Sequence, residues 1–255
     1  MIHRPCIIDL DGTIYRGDCP VPFAAAFLEQ LEAARVPFLL MTNNPSLSPQ
    51  ELSQKLAAMG ISVQATEIVT SGDIAAEYLT ENGAASAYVV GSPFLRALLQ
   101  SRNIRPDADR PEYVLIGHNR SFTYRELAKA ANDILAGSKF LCTDLDHAIP
   151  SGDHILPHTG ALAAYLQAVT GQAPHNTGKP ERYFLDTACR RLNCRPGDLL
   201  VIGDNMDTDI AMGRRYGAAT ALVLTGMTDR ETLKSSPYRP TYVLRDLKEL
   251  MSGSF

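Results

Sequence analysis

The fold is decided by a short segment near the N-terminus, Ile7-Ile8-Asp9-Leu10-Asp11-Gly12-Thr13. The apolar residues that open it do not alternate with polar ones, which is typical of a strand covered on both faces of a parallel sheet. Because side chains alternate along a strand, we expect Asp9 and Asp11 to project toward the same cleft at the carboxyl edge of the sheet. The alternative is a strand followed by a plain Asx turn, since Asp and Gly are common turn formers.

Similar apolar runs recur along the chain and alternate with amphipathic helical stretches. This pattern predicts an α/β fold with a parallel sheet built by βαβ crossovers. The strands predicted for this sheet span residues 6–9, 37–43, 67–71, 199–204, 220–226 and 241–246. Four of them have purely apolar interiors, and we expect these to be central: the strands that contain residues 7–8, 38–40, 200–202 and 222–224.

The middle of the chain has its own series of strands and helices. Strands are predicted over 87–91, 113–117 and 139–144, and helices over 93–103, 124–136 and 159–170. This series is long enough for a separate α/β domain inserted into the first one, with candidate hinges at 82–86 and 171–178. We therefore predict a core domain formed by residues 1–83 and 175–255 and an inserted domain formed by residues 84–174.

Composition narrows the classes of partner. The 255 residues contain 28 acidic and 24 basic side chains, so no broad positive field is present to hold a nucleic acid polymer. The five cysteines are scattered without CxxC spacing, which favours reduced thiols. No apolar run approaches the roughly 18 residues of a membrane span, and the N-terminus lacks a signal-peptide pattern. These features predict a cytoplasmic protein without a membrane partner.

Three later segments carry side chains that a phosphate site requires. Phe38-Leu39-Leu40-Met41-Thr42-Asn43-Asn44 closes a strand with a hydroxyl and two amides, which can donate to phosphoryl oxygens. Thr177-Gly178-Lys179-Pro180-Glu181 places a lysine before a helix that begins with proline. Val201-Ile202-Gly203-Asp204-Asn205-Met206-Asp207-Thr208-Asp209 is a second strand that ends in acids. Taken singly, these segments also fit a polar strand end, a solvated lysine and acids at a helix N-terminus.

In this order and spacing, the four segments resemble the four motifs of the haloacid dehalogenase superfamily of phosphotransferases. The motifs are D-x-D-G-T at 9–13, threonine-asparagine at 42–43, the lysine at 179 and G-D-x-x-x-x-D at 203–209. The match spans nearly the whole chain, and the insertion resembles the type-2 cap of class IIA members. The residues in and around the motifs are especially similar to those of the NagD-type branch, which includes p-nitrophenyl phosphatases and ribonucleotide monophosphatases. The resemblance implies a Rossmann-like three-layer core with an inserted α/β cap domain.

The resemblance also implies a reaction, the magnesium-dependent hydrolysis of a phosphate monoester of a small metabolite. Asp9 is then the nucleophile that forms an acyl phosphate, and Asp11 the general acid and base. Thr42 and Lys179 would hold the phosphoryl oxygens. Further substrate contacts are expected from Gly12, Thr13, Asn43, Asn44, Asp144 and His147.

Electrostatics independently favours a divalent cation. Two carboxylates about 4 Å apart repel each other by roughly 4 kcal/mol at an effective dielectric constant near 20, and a phosphate dianion adds to this repulsion. By the resemblance, Mg²⁺ is bound by Asp9 and Asp204 and by the backbone carbonyl of Asp11. Asp209 supports the ion, directly or through a hydrogen bond.

Specificity is harder to predict from the sequence. By the resemblance, Asp144 stands in a cap loop where many members of the family carry Thr-Asn rather than Thr-Asp, and an added negative charge near an anionic substrate is unfavourable. A phosphomutase or another phosphotransferase of the same fold would retain both Asp9 and Asp11 and remains an alternative. A non-catalytic ligand-binding protein on the same scaffold is a further alternative. The sequence leaves the oligomeric state open, with a homo-oligomer among the states that it allows.

Overall fold

The computed structural model describes residues 2–151 and 154–252. Its strands, in chain order, are β1 (Cys6–Ile8), β2 (Tyr15–Arg16), β3 (Cys19–Pro20), β4 (Phe38–Thr42), β5 (Ile68–Thr70), β6 (Ser86–Val90), β7 (Arg105–Pro106), β8 (Tyr113–Ile116), β9 (Lys139–Cys142), β10 (Ala148–Ser151), β11 (His154–Pro157), β12 (His175–Asn176), β13 (Leu200–Gly203), β14 (Ala219–Val223) and β15 (Tyr242–Leu244).

The α-helices, in chain order, are α1 (Ala24–Ala33), α2 (Pro49–Ala58), α3 (Ser71–Glu81), α4 (Pro93–Ser101), α5 (Tyr124–Leu135), α6 (Thr159–Thr170), α7 (Arg182–Leu192), α8 (Ala211–Tyr216), α9 (Arg230–Ser235) and α10 (Leu247–Ser252). Short 3₁₀ turns occur at Ala65–Glu67 and Pro196–Asp198, and a π-helical turn at Met206–Ile210 leads into α8.

The chain divides into two compact units. The first unit comprises residues 2–42, 49–69 and 179–252 of the described chain. Within the described residues, six strands form its sheet in the order β15-β14-β13-β1-β4-β5. β1 pairs in parallel with both β13 and β4, and β14 pairs in parallel with β13 and β15. The prediction of one parallel sheet from these six segments is confirmed.

The centre of this sheet is covered on both faces. Every residue of β1, β4 and β13 is buried, and so are the last four residues of β14. These are the four strands whose interiors lack alternation, and they occupy interior positions of the sheet, as predicted. Because all these strands run in the same direction, their carboxyl ends meet at one edge, where Asp9 and Asp204 follow β1 and β13.

The second unit comprises residues 43–48 and 70–178. Of its described strands, five form a sheet in the order β12-β9-β8-β6-β7. Helices α5 and α6 share a core cluster with residues of β6, β8 and β9. On α3, the residues Ala75, Ala76 and Leu79 belong to another core cluster, together with β6, α4 and β8. The sequence analysis assigned α3 to the core domain, and its division of the chain at 83/84 and 174/175 stays a prediction.

Local sequence explains the helix starts of this unit. Thr123 caps α5: its hydroxyl accepts from the backbone N–H of Glu126 at 3.2 Å, and the Glu126 carboxylate accepts from the backbone N–H of Thr123 at 2.7 Å. Ser92 caps α4 in a similar way, with Pro93 in the first turn. The hairpin formed by β10 and β11 was not predicted, because its strands are short and lack a regular alternation.

Candidate active site

Asp9 directly follows β1, at the point where the pairing of β1 with its neighbouring strands ends. The Asp9 backbone N–H still donates to the Ile202 carbonyl at 2.9 Å, and the chain then leaves the sheet. Gly12, at φ +90°, donates its N–H to the Tyr15 carbonyl at 2.7 Å and closes the turn. Asp9 is buried, whereas Asp11, two residues further on, is exposed.

Lys179 lies at the centre of the site. Its Nζ donates to Asp9 Oδ1 at 2.5 Å and to Asp209 Oδ1 at 2.7 Å, and it lies 3.5 Å from the Met41 carbonyl. The residue is 3% exposed. It is supplied by the loop that precedes α7, whereas Asp9 follows β1 and Asp209 lies in the π-helical turn after β13. Three segments that are distant in the sequence therefore meet at one ammonium group.

Asp204 completes an acidic cluster. Asp9, Asp204 and Asp209 each offer a carboxylate oxygen, and these atoms all lie within 4.8 Å of one another. Asp204 Oδ2 accepts from the backbone N–H of Met227 at 2.6 Å, and its Oδ1 lies 3.4 Å from the Thr13 hydroxyl. All three acids are buried, so they interact through a medium less polar than water.

Glycines surround these carboxylates at close range. A Cβ atom at Gly12 or Gly226 would overlap the Asp204 carboxylate, and one at Gly203 would overlap Asp209. The backbone therefore approaches the acids more closely than any other residue type would permit. This close approach holds Asp204 and Asp209 in position without occupying the space between the acids.

The electrostatics of the cluster favour a further positive charge. Burial raises the pKa of Asp9 well above its usual range, against the opposing effect of Lys179. Burial, followed by the charge of Asp209, raises the pKa of Asp204 to about 7. Burial alone would lower the pKa of Lys179, but the charges of Asp209 and Asp9 outweigh it, and the net shift is upward. Three carboxylates and one ammonium, all ionised, leave a net charge of −2.

This donor set fits a hard divalent cation. The three groups are carboxylates, the oxygen ligands that Mg²⁺ prefers, and they lie close enough together to share one ion. The ammonium of Lys179 offsets part of the negative charge but not all of it. Asp9, Asp204 and Asp209, which were predicted as metal residues, form this cluster, and their binding of a metal stays a prediction. The predicted participation of the Asp11 carbonyl stays a prediction.

The other predicted residues lie as follows. Gly12 and Thr13 adjoin Asp204, and Thr42 is the buried last residue of β4. Asn43 belongs to the second unit, where its Nδ2 donates to Asp146 Oδ2 at 3.1 Å. Asn44 accepts from the backbone N–H of Ser46 at 2.9 Å and shapes the turn that follows. Their roles as substrate contacts stay predictions.

Two further predicted substrate contacts, Asp144 and His147, also lie in the second unit. Asp144 is fully buried, and its carboxylate accepts three hydrogen bonds from within the chain. His147 is exposed, and its backbone carbonyl accepts from the N–H of His158 at 2.9 Å.

One segment of the site was missed by the sequence analysis. After β14, the Thr225 hydroxyl donates to the Gly12 carbonyl at 2.7 Å, and the backbone N–H groups of Met227 and Thr228 donate to the side chain and carbonyl of Asp204. The sequence analysis assigned residues 220–226 to a strand. The Thr225-Gly226 pair after an apolar run was the available signal, because such pairs end strands in turns.

Comparison with known proteins agrees with this fold. Residues 6–105 match the family model described as haloacid dehalogenase-like hydrolase, and residues 176–250 match one described as HAD-hydrolase-like. An acid sugar phosphatase of Staphylococcus haemolyticus is 37% identical over 98% of this chain and 96% of its own length. The chain therefore belongs to the haloacid dehalogenase-like hydrolases.

Solved structures narrow the class further. NagD of Escherichia coli K-12 superimposes with a TM-score of 0.91 at 30% identity, over 98% of each chain. A glycerol phosphate phosphatase of Mycobacterium tuberculosis, described as a complex with magnesium, superimposes with a TM-score of 0.91 at 32% identity, over 97% of this chain and 76% of that one. Within its family, the chain is a phosphatase of the NagD type.

The helices give one further result. Among residues 2–151 and 154–252, none of the helices has the length and the apolar character that crossing a membrane requires.

Proposed function

We propose that this chain hydrolyses phosphate monoesters of small metabolites through a phosphorylated Asp9, with Mg²⁺ as cofactor. The observation that carries the proposal is the contact of Lys179 with both Asp9 and Asp209, in a buried cluster that also contains Asp204. A lysine there can bind phosphoryl oxygens, and the acids beside it can supply both a nucleophile and metal ligands.

In the first step, a carboxylate oxygen of Asp9 attacks phosphorus. The new bond joins that oxygen to phosphorus, and the bond between phosphorus and the ester oxygen breaks. Asp11 donates its proton to the departing alkoxide, which leaves as an alcohol. The exposure of Asp11 supports this role, because an acid that serves successive leaving groups must remain accessible.

In the second step, water attacks the phosphorus of the aspartyl phosphate. Asp11, now ionised, takes the proton of that water, and the bond between phosphorus and Asp9 breaks. Inorganic phosphate leaves, and Asp9 regains its carboxylate. Lys179 and Thr42 hold the equatorial oxygens during both steps, and they stabilise charge where it develops.

Mg²⁺, when bound, would neutralise charge on the phosphoryl oxygens and lower the pKa of Asp9. Asp9, Asp204 and the carbonyl of Asp11 would hold it, with Asp209 as a further support. The negative charge left in the cluster supports this cofactor, as does the magnesium named with the Mycobacterium tuberculosis phosphatase.

Sugar phosphates and glycerol phosphate head the proposed substrates, because the similar proteins are named for them. The decisive experiment measures phosphate release from a panel of phosphorylated metabolites, including nucleotides, with Mg²⁺. Asp9→Asn is expected to abolish release while the fold is retained. Asp186→Asn, the same substitution on the surface of α7, is the matched control and should keep wild-type turnover.

Chelation tests the cofactor separately. EDTA should stop phosphate release, and added Mg²⁺ should restore it. Full turnover in thoroughly chelated enzyme would exclude the metal role, and wild-type turnover of Asp9→Asn would refute the nucleophile. Formation of an isomeric phosphate ester in place of free phosphate would identify a phosphomutase.

A further inference from the structure

The second unit contains a buried ion pair that the proposed reaction does not use. Asp144 Oδ1 lies 3.0 Å from Nδ1 of His158, and the two side chains are 0% and 2% exposed. Asp144 Oδ2 accepts from the Thr143 hydroxyl at 2.9 Å, and its Oδ1 also accepts from the backbone N–H of Asp146 at 3.2 Å. Both oxygens of this carboxylate are therefore engaged inside the protein.

A second imidazole lies against the pair. The His118 ring stacks on the His158 ring with centroids 4.3 Å apart and an angle of 17° between the planes. Arg120 donates to His118 Nε2 at 3.3 Å, so that nitrogen acts as an acceptor, as in a neutral ring. Burial, followed by the charges of His158 and Arg120, lowers the pKa of His118 to about 4.

His158 shifts in the opposite direction. Burial alone would lower its pKa, but the hydrogen bond to Asp144 and the charges of Asp144 and Asp146 outweigh burial and the opposing charge of Arg120. The net shift is upward. Near neutral pH, His118 is therefore neutral, whereas the contact with Asp144 favours the protonated form of His158.

The loop of residues 143–146, which contains Asp144, contacts Asn43 and Gly178. Both of these residues adjoin proposed catalytic residues in the sequence. Asp146 Oδ2 accepts from Asn43 Nδ2 at 3.1 Å. A Cβ atom at Gly178 would overlap the Thr143 carbonyl and would lie 2.9 Å from Asn43 Oδ1, so the loop, Asn43 and Gly178 are closely packed. In the chain, Asn43 directly follows Thr42, and Gly178 directly precedes Lys179.

We propose that the Asp144–His158 pair is a positioning element of the phosphatase: it fixes the loop of residues 143–146 and, through it, Asn43 and Gly178. The inference rests on the proposed function. It assigns Asp144 a role at a distance from the substrate, in place of the substrate contact that the sequence analysis predicted. A misplacement of catalytic groups by about 1 Å can reduce a rate by about 100-fold, so such a pair controls kcat without touching the reacting atoms.

A metal site is the competing interpretation of the same residues. Asp144, Asp146 and His158 offer ligand atoms that all lie within 4.8 Å of one another. The hydrogen bonds of Asp144 favour the ion pair, because its oxygens are already occupied and His158 Nδ1 faces one of them. The experiment includes this interpretation as an outcome.

The test compares His158→Asn, Asp144→Asn and the double variant with wild type, at saturating Mg²⁺. The asparagine amide places a neutral donor near the position of His158 Nδ1, so His158→Asn removes the charge and keeps a hydrogen bond. His154→Asn is the matched control, because His154 is exposed and lies four residues earlier. We expect each single variant to lose about 10-fold to 100-fold in kcat, with a much smaller change in KM.

Three further readouts test the positioning role. The double variant should lose no more kcat than the worse single variant, since the two side chains act as one unit. In wild type, kcat should fall as pH rises through the pKa of His158, and this limb should be missing from His158→Asn. Proton NMR of wild type should show a slowly exchanging imidazole N–H, and this measurement does not depend on how well a variant folds; a folded His158→Asn should lack the signal.

Four results would overturn the proposal. They are wild-type kcat in both single variants, additive losses in the double variant, a loss confined to KM, and a stoichiometric metal ion that the wild type carries and His158→Asn lacks. The proposed phosphatase function is tested separately by Asp9→Asn, in which His158 and Asp144 are unchanged. Failure of that test can therefore be told apart from failure of the positioning role.

Discussion

Replacing Lys179 by methionine tests the charge balance of the site. The ammonium lies 2.5 Å from Asp9 Oδ1 and 2.7 Å from Asp209 Oδ1, and each contact is worth roughly 6 kcal/mol of attraction at an effective dielectric constant near 20. Desolvation of the buried charges opposes most of this attraction. Removing one partner of a buried pair nevertheless costs about 3 to 5 kcal/mol, because the remaining charge is left uncompensated. We expect a loss of that size in metal-free protein at about pH 8.

The sign of the pH dependence follows from Asp9. Without Lys179, the pKa of Asp9 in the folded state rises further above its unfolded value, because the opposing charge is lost. A carboxyl group with a raised folded pKa stabilises the fold at low pH and loses that contribution as pH rises. The deficit of Lys179→Met should therefore be smaller at about pH 5 than at about pH 8.

Urea unfolding in EDTA, at both pH values, measures this deficit. Lys234→Met is the matched control, because Lys234 pairs with Glu231 at the surface of α9 and should change stability by less than about 1 kcal/mol. The reasoning fails if Lys179→Met unfolds at the same urea concentration as wild type. It also fails if the deficit does not depend on pH.

Three further predictions concern other parts of the chain. Gly226→Ala places a Cβ against the Asp204 carboxylate and should raise the Mg²⁺ concentration needed for half-maximal phosphate release, whereas Gly197→Ala, at a site with ordinary space, should not. Metal-free protein should lose up to about 4 kcal/mol of stability as pH rises from about 4 to 7, because the pKa of Asp204 in the folded state lies above its unfolded value. Urea titrations measure this loss, and added Mg²⁺ should remove it. Thr123→Ala removes the acceptor for the Glu126 N–H and should cost about 1 kcal/mol in Tm-derived stability, with kcat unchanged.

The central sheet could be predicted because its signal lies in the residues themselves. Apolar runs without alternation occur where both faces of a strand are covered, and β1, β4, β13 and β14 are such strands. The predicted strands extend one to three residues too far at their C-terminal ends. The ladder of β1 stops at Ile8 and that of β13 at Gly203, so that Asp9 and Asp204 lie beyond the last paired residues. Periodicity cannot distinguish the last paired residue from the first unpaired one.

The parts of the site made by backbone groups could not be predicted. Met227 contributes its backbone N–H to Asp204, and any residue but proline would offer the same donor. Gly12, Gly203 and Gly226 matter because they have no side chain, which leaves room for the carboxylates of Asp204 and Asp209. The sequence does not show that a carboxylate lies next to each of them. A sequence motif identifies the side chains proposed to take part in the reaction. The shape of the site around them depends on the folded backbone, which the motif does not describe.

Two groups of buried acids in this protein differ in the charge that remains after pairing. In the second unit, Asp144 Oδ1 faces His158 Nδ1 at 3.0 Å, and further hydrogen bonds within the chain occupy the carboxylate. Around Lys179, Asp9 and Asp209 share one ammonium, and the Asp204 carboxylate lies beside them, so one cation serves a cluster of three acids. A buried cluster of acids whose charge is not fully compensated is stabilised by binding a cation. The sequence contains both sets of acids but not their pairing, so the contact between Asp144 and His158 could not be predicted from it.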